Sequence, residues 1–139
     1  MQRDEARLSD TRAWLRRAER DLKSAEHALT APEPLREDTV FHCQQAAEKA
    51  FKAFLTWHDV PFRKTHSLEE LGRQCSSIAP ALRTLVDEAA PLSEYAWRFR
   101  YPGPAEAPSP EETAEALAVA SRVTTAIRDR LPPEARREA

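Results

Sequence analysis

The sequence predicts an all-α chain, an antiparallel up-and-down helical bundle of four to five helices in a single domain spanning residues 1–139. Two observations carry that prediction. The chain has only two glycines and is dominated by Ala, Leu, Arg and Glu, which lose little on entering a helix, while Val, Ile and Tyr are scarce. Apolar residues also recur at three- and four-residue steps along most of its length, and most prolines stand between those periodic runs.

The first helix is predicted from near Ser9 to Leu29. Leu8, Leu15, Ala18, Leu22, Ala25 and Leu29 form its stripe, and Ala31-Pro-Glu-Pro34 ends it. The second runs from about Asp38, read as its N-cap, to His58, and Asp59-Val-Pro61 closes it. Phe62-Arg-Lys-Thr65 is a short basic loop. Ser67-x-x-Glu70 has the capping-box pattern and opens a third helix carrying Leu68, Leu71 and Cys75 to near Ile78. A fourth starts at about Pro80 with Leu82, Leu85, Val86 and Ala89. Pro91 lacks the N–H and clashes with the preceding turn, so it kinks or breaks this helix before the pattern resumes at Leu92, Tyr95, Ala96 and Phe99. Pro102, Pro104, Pro108 and Pro110 make 101–109 an extended loop. Ser109-Pro110-Glu111-Glu112 supplies an N-cap, a proline at the first position and first-turn acids for the last helix. Ala114, Leu117, Ala118, Ser121, Thr124 and Ile127 suit close packing there. Pro132-Pro133 stops the helix, and a frayed tail is expected from about 132.

A formal net charge of −2 excludes a global basic field for non-specific nucleic-acid binding and leaves room only for local patches. Cys43 and Cys75 form no Cys-x-x-Cys motif, and His27, His42, His58 and His66 have no metal-ligand spacing, so no metal and no cofactor are expected. No apolar run approaches the about 20 residues that span a bilayer. The expectation is a cytoplasmic chain with free thiols and no membrane contact.

Three constellations are candidates for function. The run from Phe41 to Leu55 places Phe41, Ala47, Ala50, Phe51, Phe54, Leu55 and His58 on one side of a helix. Gln44, Glu48 and Lys52 follow at i, i+4 steps on another, with Gln45 and Lys49 beside them. That face reads in three ways: a solvated surface with a Glu48–Lys52 pair, which spacing alone favours; a polar pocket for nucleotide or RNA phosphate, with Lys49 as cation and Gln45 as amide reader; or a subunit interface. Arg98-Phe-Arg-Tyr-Pro-Gly103 sets two arginines about an aromatic with Tyr101 alongside, suited to clamping phosphate and stacking a base. The competing reading pairs Arg98 and Arg100 with acids such as Glu94. His42 lies one turn before Gln45 and reaches Arg100 if the second and fourth helices pack together. Arg12, Arg16 and Arg20 form a basic stripe among acids, read as a mixed, solvated face.

The ordered amide–acid–amine run Gln44-Gln-Ala-Ala-Glu-Lys49, followed by Thr65-His-Ser-Leu-Glu-Glu-Leu71 and Arg100-Tyr-Pro-Gly103, resembles HEPN domains in content and order. Trp14 with Ala18, Asp21, Leu22 and Ala25 agrees with the preceding helix of that family, and the resemblance covers roughly Asp10 to Leu131. It implies a helical bundle, a homodimer, and a nucleotide- or RNA-linked role. It also implies a minimal nucleotidyltransferase as partner, in toxin–antitoxin modules of which this chain is the HEPN half. Catalytic HEPN ribonucleases carry an Arg followed about four to six residues later by His. Here no His follows His66, so the acid–base group is missing and the enzyme reading loses its main support. The expected role is therefore binding or assembly, through Arg98, Arg100, Tyr101, Gln45, Lys49 and His42. The alternatives are a metal-independent ribonuclease with a divergent active site and a structural partner without ligand.

Overall fold

The computed structural model describes residues 2–102 and 107–136, so Gly103 and Pro104 of the predicted loop lie outside the described residues. All regular structure among them is helical: α1 (Gln2–Ala28), α2 (Arg36–Trp57), α3 (Leu68–Ile78), a 3-10 turn (Pro80–Leu82), α4 (Arg83–Ala89), a 3-10 run (Ala90–Ala96), α5 (Pro110–Asp129) and α6 (Pro133–Arg136). The all-α bundle expected from composition and periodicity is what forms.

Boundaries shift where tertiary contacts compete with local signals. α1 begins well before Ser9, with Asp4 and Glu5 in its first turn complementing the helix dipole. The Arg7 guanidinium lies 4.9 Å from the Trp57 ring centre and fastens this extension to the far end of α2. Asp38 is not the N-cap of α2. Leu35 holds that position without a side-chain bond, and Asp38 sits in the first turn beside Glu37. The start of α2 is tied down instead by Thr39, whose hydroxyl donates to the Ala25 carbonyl at 2.9 Å, and by Arg36, which donates to the Pro108 carbonyl at 2.6 Å. The Ser67 box is half formed: Ser67 accepts from the Glu70 N–H, while the Glu70 carboxylate turns to Arg63. The Ser109–Glu112 box is complete. Pro91 converts α4 into a 3-10 run rather than a kinked α-helix. The inward stripe of α5 is Thr113, Ala116, Val119, Ala120, Val123, Thr124 and Ile127, whereas Ala114 and Ser121 face out. Residues 133–136, placed in the expected tail, form α6. There Ala135 is buried, and Arg12 donates to the Glu134 carbonyl at 2.6 Å.

α2 is the central helix, and its Val40, Cys43, Ala46, Ala47, Ala50, Phe51, Ala53 and Leu55 have no accessible surface. α1 runs antiparallel along it: Ala25 meets Thr39, Asp21 meets His42 and Lys49, and Trp14 meets Lys52. α4 and the 3-10 run that follows it lie antiparallel to α5, with Glu88 on Arg122 and Tyr95 on Glu112.

The turn after α2 shapes the site. Asp59 adopts φ 57°, and the Val60 and Asp59 N–H groups donate back to the Leu55 and Thr56 carbonyls. That is a Schellman closure, with the aspartate in the left-handed position usually given to glycine. It sends 59–67 back along α2, so α3 starts level with the middle of α2. α3 then packs closely on α4 at Gly72, where a methyl group would stand 2.4 Å from a Val86 methyl.

Candidate functional site

The amide–acid–amine face of α2 is interior, neither solvated nor open. Gln44 is fully buried, and Glu48 and Lys52 retain only 4% and 7% exposure. The returning segment covers them. Glu48 accepts from Gln44 Nε2 at 3.0 Å, from Lys52 Nζ at 3.0 Å and from His66 Nδ1 at 2.7 Å. Gln44 also donates to the His66 carbonyl at 3.3 Å. The Lys52 ammonium faces the rings of Trp14 at 5.2 Å and Phe62 at 5.7 Å. A buried charge persists only when paired and hydrogen-bonded, and here both partners are. Burial alone pushes the Glu48 carboxyl up. Hydrogen bonds from His66, Gln44 and Lys52, with the Lys52 charge, more than offset that and hold its pKa below the ordinary value. His66, the residue before the Ser67 N-cap, pins the return segment to α2.

One step round the helix, His42, Gln45 and Lys49 lie on the seam with α1. Asp21 is their hub: one carboxylate oxygen accepts from His42 Nδ1 at 2.8 Å and the other from Lys49 Nζ at 2.5 Å. Because a carboxylate only accepts, the neutral His42 ring carries its proton on Nδ1 and presents Nε2 as an acceptor. Gln45 donates to Gln44 at 2.6 Å and so joins this seam to the buried cluster.

At the start of α2 the returning end of the 3-10 run delivers Arg100. Its guanidinium lies 4.1 Å from the Phe41 ring centre and 3.5 Å from an Asp38 oxygen. The Phe41 and His42 rings meet edge to face at 5.4 Å. Arg100 and His42 thus flank one aromatic ring. Tyr101 is 73% exposed and Trp97 58%. Arg98 goes elsewhere: it bonds Glu94 at 2.8 Å and Glu112 at 2.9 Å, beside the Tyr95 hydroxyl, which donates to Glu112 at 2.7 Å. Phe99 lies half-buried, stacked on Tyr95. Arg98 therefore clamps the carrier of Arg100 and Tyr101 to the start of α5.

The six sequence candidates separate accordingly. Arg100 and His42 converge on Phe41, Lys49 shares Asp21 with His42, Gln45 lies along the same seam, Tyr101 is exposed next to Arg100 in the chain, and Arg98 is a brace. Sequence reading missed Asp21, Asp38 and Phe41 as neighbours of the site. Asp21 had a signal: a carboxylate set between Ala18, Leu22 and Ala25 on an otherwise apolar stripe needs a partner. Among the described residues, no three His, Cys, Asp or Glu side chains gather as a metal-ligand group, and no helix is long and apolar enough to cross a membrane.

A family model described as HEPN domain matches residues 11–130. No curated protein and no solved structure matches the chain.

Proposed function

The chain belongs to the HEPN domain family, and from that premise we propose that it is a nucleotide- or RNA-binding assembly subunit: a homodimer that forms the HEPN half of a HEPN–nucleotidyltransferase toxin–antitoxin pair. The observation that carries the binding role is the Arg100 guanidinium lying over Phe41, with Asp38 at 3.5 Å and exposed Tyr101 next in the chain. A flat cation on an aromatic, beside a second exposed ring, suits phosphate contact and base stacking on single-stranded nucleic acid. Arginine holds phosphate but stays protonated, so by itself it orients RNA without cutting it.

The test is fluorescence anisotropy with a labelled single-stranded RNA. Binding weakens as salt rises from about 50 to about 200 mM, and Arg100→Ala weakens it at least tenfold while the melting temperature stays within a few degrees. Equal binding by variant and parent overturns the site. Light scattering at micromolar concentration tests the dimer. Copurification with the product of an adjacent nucleotidyltransferase gene tests the partner.

A second reading has its own observation. Asp21 engages His42 through Nδ1 and leaves Nε2 outside that bond, while His42 and Arg100 both contact the Phe41 ring, an arrangement suited to general acid–base chemistry. It predicts RNA cleavage in EDTA that disappears in His42→Ala. The binding reading predicts none above background.

A further inference from the structure

Between α1 and α2, one helical turn from the Asp21 hub, lies a groove of about 340 Å³ lined by Asp10, Ala13, Trp14, Arg17 and Lys49. That is within the size range of small-ligand sites. Its aromatic wall is held in place before any ligand arrives. The Trp14 ring meets Phe62 edge to face at 6.2 Å and carries the Lys52 ammonium at 5.2 Å. Ala13 leaves room beside it. Arg17 is exposed and, among the described residues, has no carboxylate within ion-pair distance. Lys49 has three N–H donors and spends one on Asp21. Asp10 supplies an acceptor at the rim.

From these residues we infer that the groove is a second subsite, which takes one nucleoside monophosphate unit with its base on Trp14 and its phosphate on Arg17 and Lys49. The inference rests on the nucleotide-binding reading and deepens it. A fixed indole wall and a forked guanidinium together select a planar group linked to an anion. The charge balance selects the number of phosphates. Lys49 already shares its charge with Asp21 and Asp10 adds a negative charge to the lining, which leaves Arg17 as the main unpaired cation, so the groove suits a single phosphate better than a triphosphate. Lys49 lies eight residues from Phe41 on α2, about 12 Å along the axis. His42, beside Phe41, and Lys49 share Asp21 on one seam of α2, so the two places lie along that seam. The same unit arrives either as a free mononucleotide or as one residue of an RNA strand.

Two-dimensional amide spectra test this through the three indole N–H signals, with the Trp14 signal assigned from its loss in Trp14→Phe. Millimolar AMP is expected to move the Trp14 signal in the parent and in Arg100→Ala but not in Arg17→Ala, a surface change that leaves the fold intact. A single-stranded RNA that moves it as well identifies the strand as a source; movement by AMP alone identifies the free nucleotide. If AMP moves only the Trp97 signal, and Arg100→Ala abolishes that, the groove is overturned while the Arg100 site stands. Movement of no indole signal by AMP or RNA overturns the groove whatever the Arg100 site does, and loss of RNA anisotropy as well overturns both.

Discussion

Glu48→Gln is the substitution whose cost follows most directly from the geometry. It keeps the size of the side chain and removes the one carboxylate paired with a buried ammonium, since Lys52 is 7% exposed and bonds Glu48 at 3.0 Å. Removing one partner of a buried pair costs about 3–5 kcal/mol because the other charge is left without compensation. Lys52 keeps its contacts with the Trp14 and Phe62 rings, so the expected loss is at the low end, about 3 kcal/mol. With an unfolding entropy of about 2.1 cal/mol/K per residue, the 139 residues give about 0.3 kcal/mol/K, and the melting temperature falls by about 10 °C. Urea denaturation measures the free energy directly, as a lower midpoint with an unchanged slope. The double variant Glu48→Gln/Lys52→Met removes both charges and should return to within about 1 kcal/mol of the parent. The pH dependence adds a second signature. The folded pKa of Glu48 lies below its ordinary 4.5, so its contribution is complete above that value and is lost as pH falls through the lower folded value. The gap between parent and Glu48→Gln therefore narrows on acidification. A loss under about 1 kcal/mol, or a double variant no more stable than the single, would refute the claim that this pair is buried and mutually dependent.

Gly72→Ala should destabilise by about 1–2 kcal/mol, because its methyl would stand 2.4 Å from Val86 and overpacking outweighs the gain in helix propensity; pairing it with Val86→Ala should cost less than the two changes summed. Burial, with Glu26 adding to it, pushes the Cys43 thiol up to about 12, and burial raises Cys75 further. Both thiols should therefore react with a disulfide reagent near neutral pH only as fast as the protein unfolds, and a fast native phase would contradict the packing. Ser109→Ala removes the N-cap of α5, whose hydroxyl accepts from the Glu112 N–H at 2.9 Å. It should cost about 1 kcal/mol by chemical denaturation, and an unchanged midpoint would count against the capping box.

The sequence by itself determined the helical class, the number of main helices, the Ser109 N-cap and the importance of the stretch from Phe41 to Leu55. These are local properties, set by propensity, periodicity and hydrogen bonds between near neighbours. It also marked Arg100 and Tyr101 at a helix end and the family to which the chain belongs. What it left open was the side on which each polar residue of α2 would lie. Gln44, Glu48 and Lys52 at i, i+4 steps are compatible with a solvated face, and spacing carries no information about what covers it. The covering came from the left-handed turn at Asp59, which folds 59–67 back along α2 and brings His66 to Glu48. Two further contacts join segments distant in sequence: Asp21 with His42 and Lys49, and Arg98 with Glu112. Charges on separate helices find one another only when packing fixes the distance between them. For this reason the seam, the buried pair and the brace under Arg100 were decided by the tertiary structure alone.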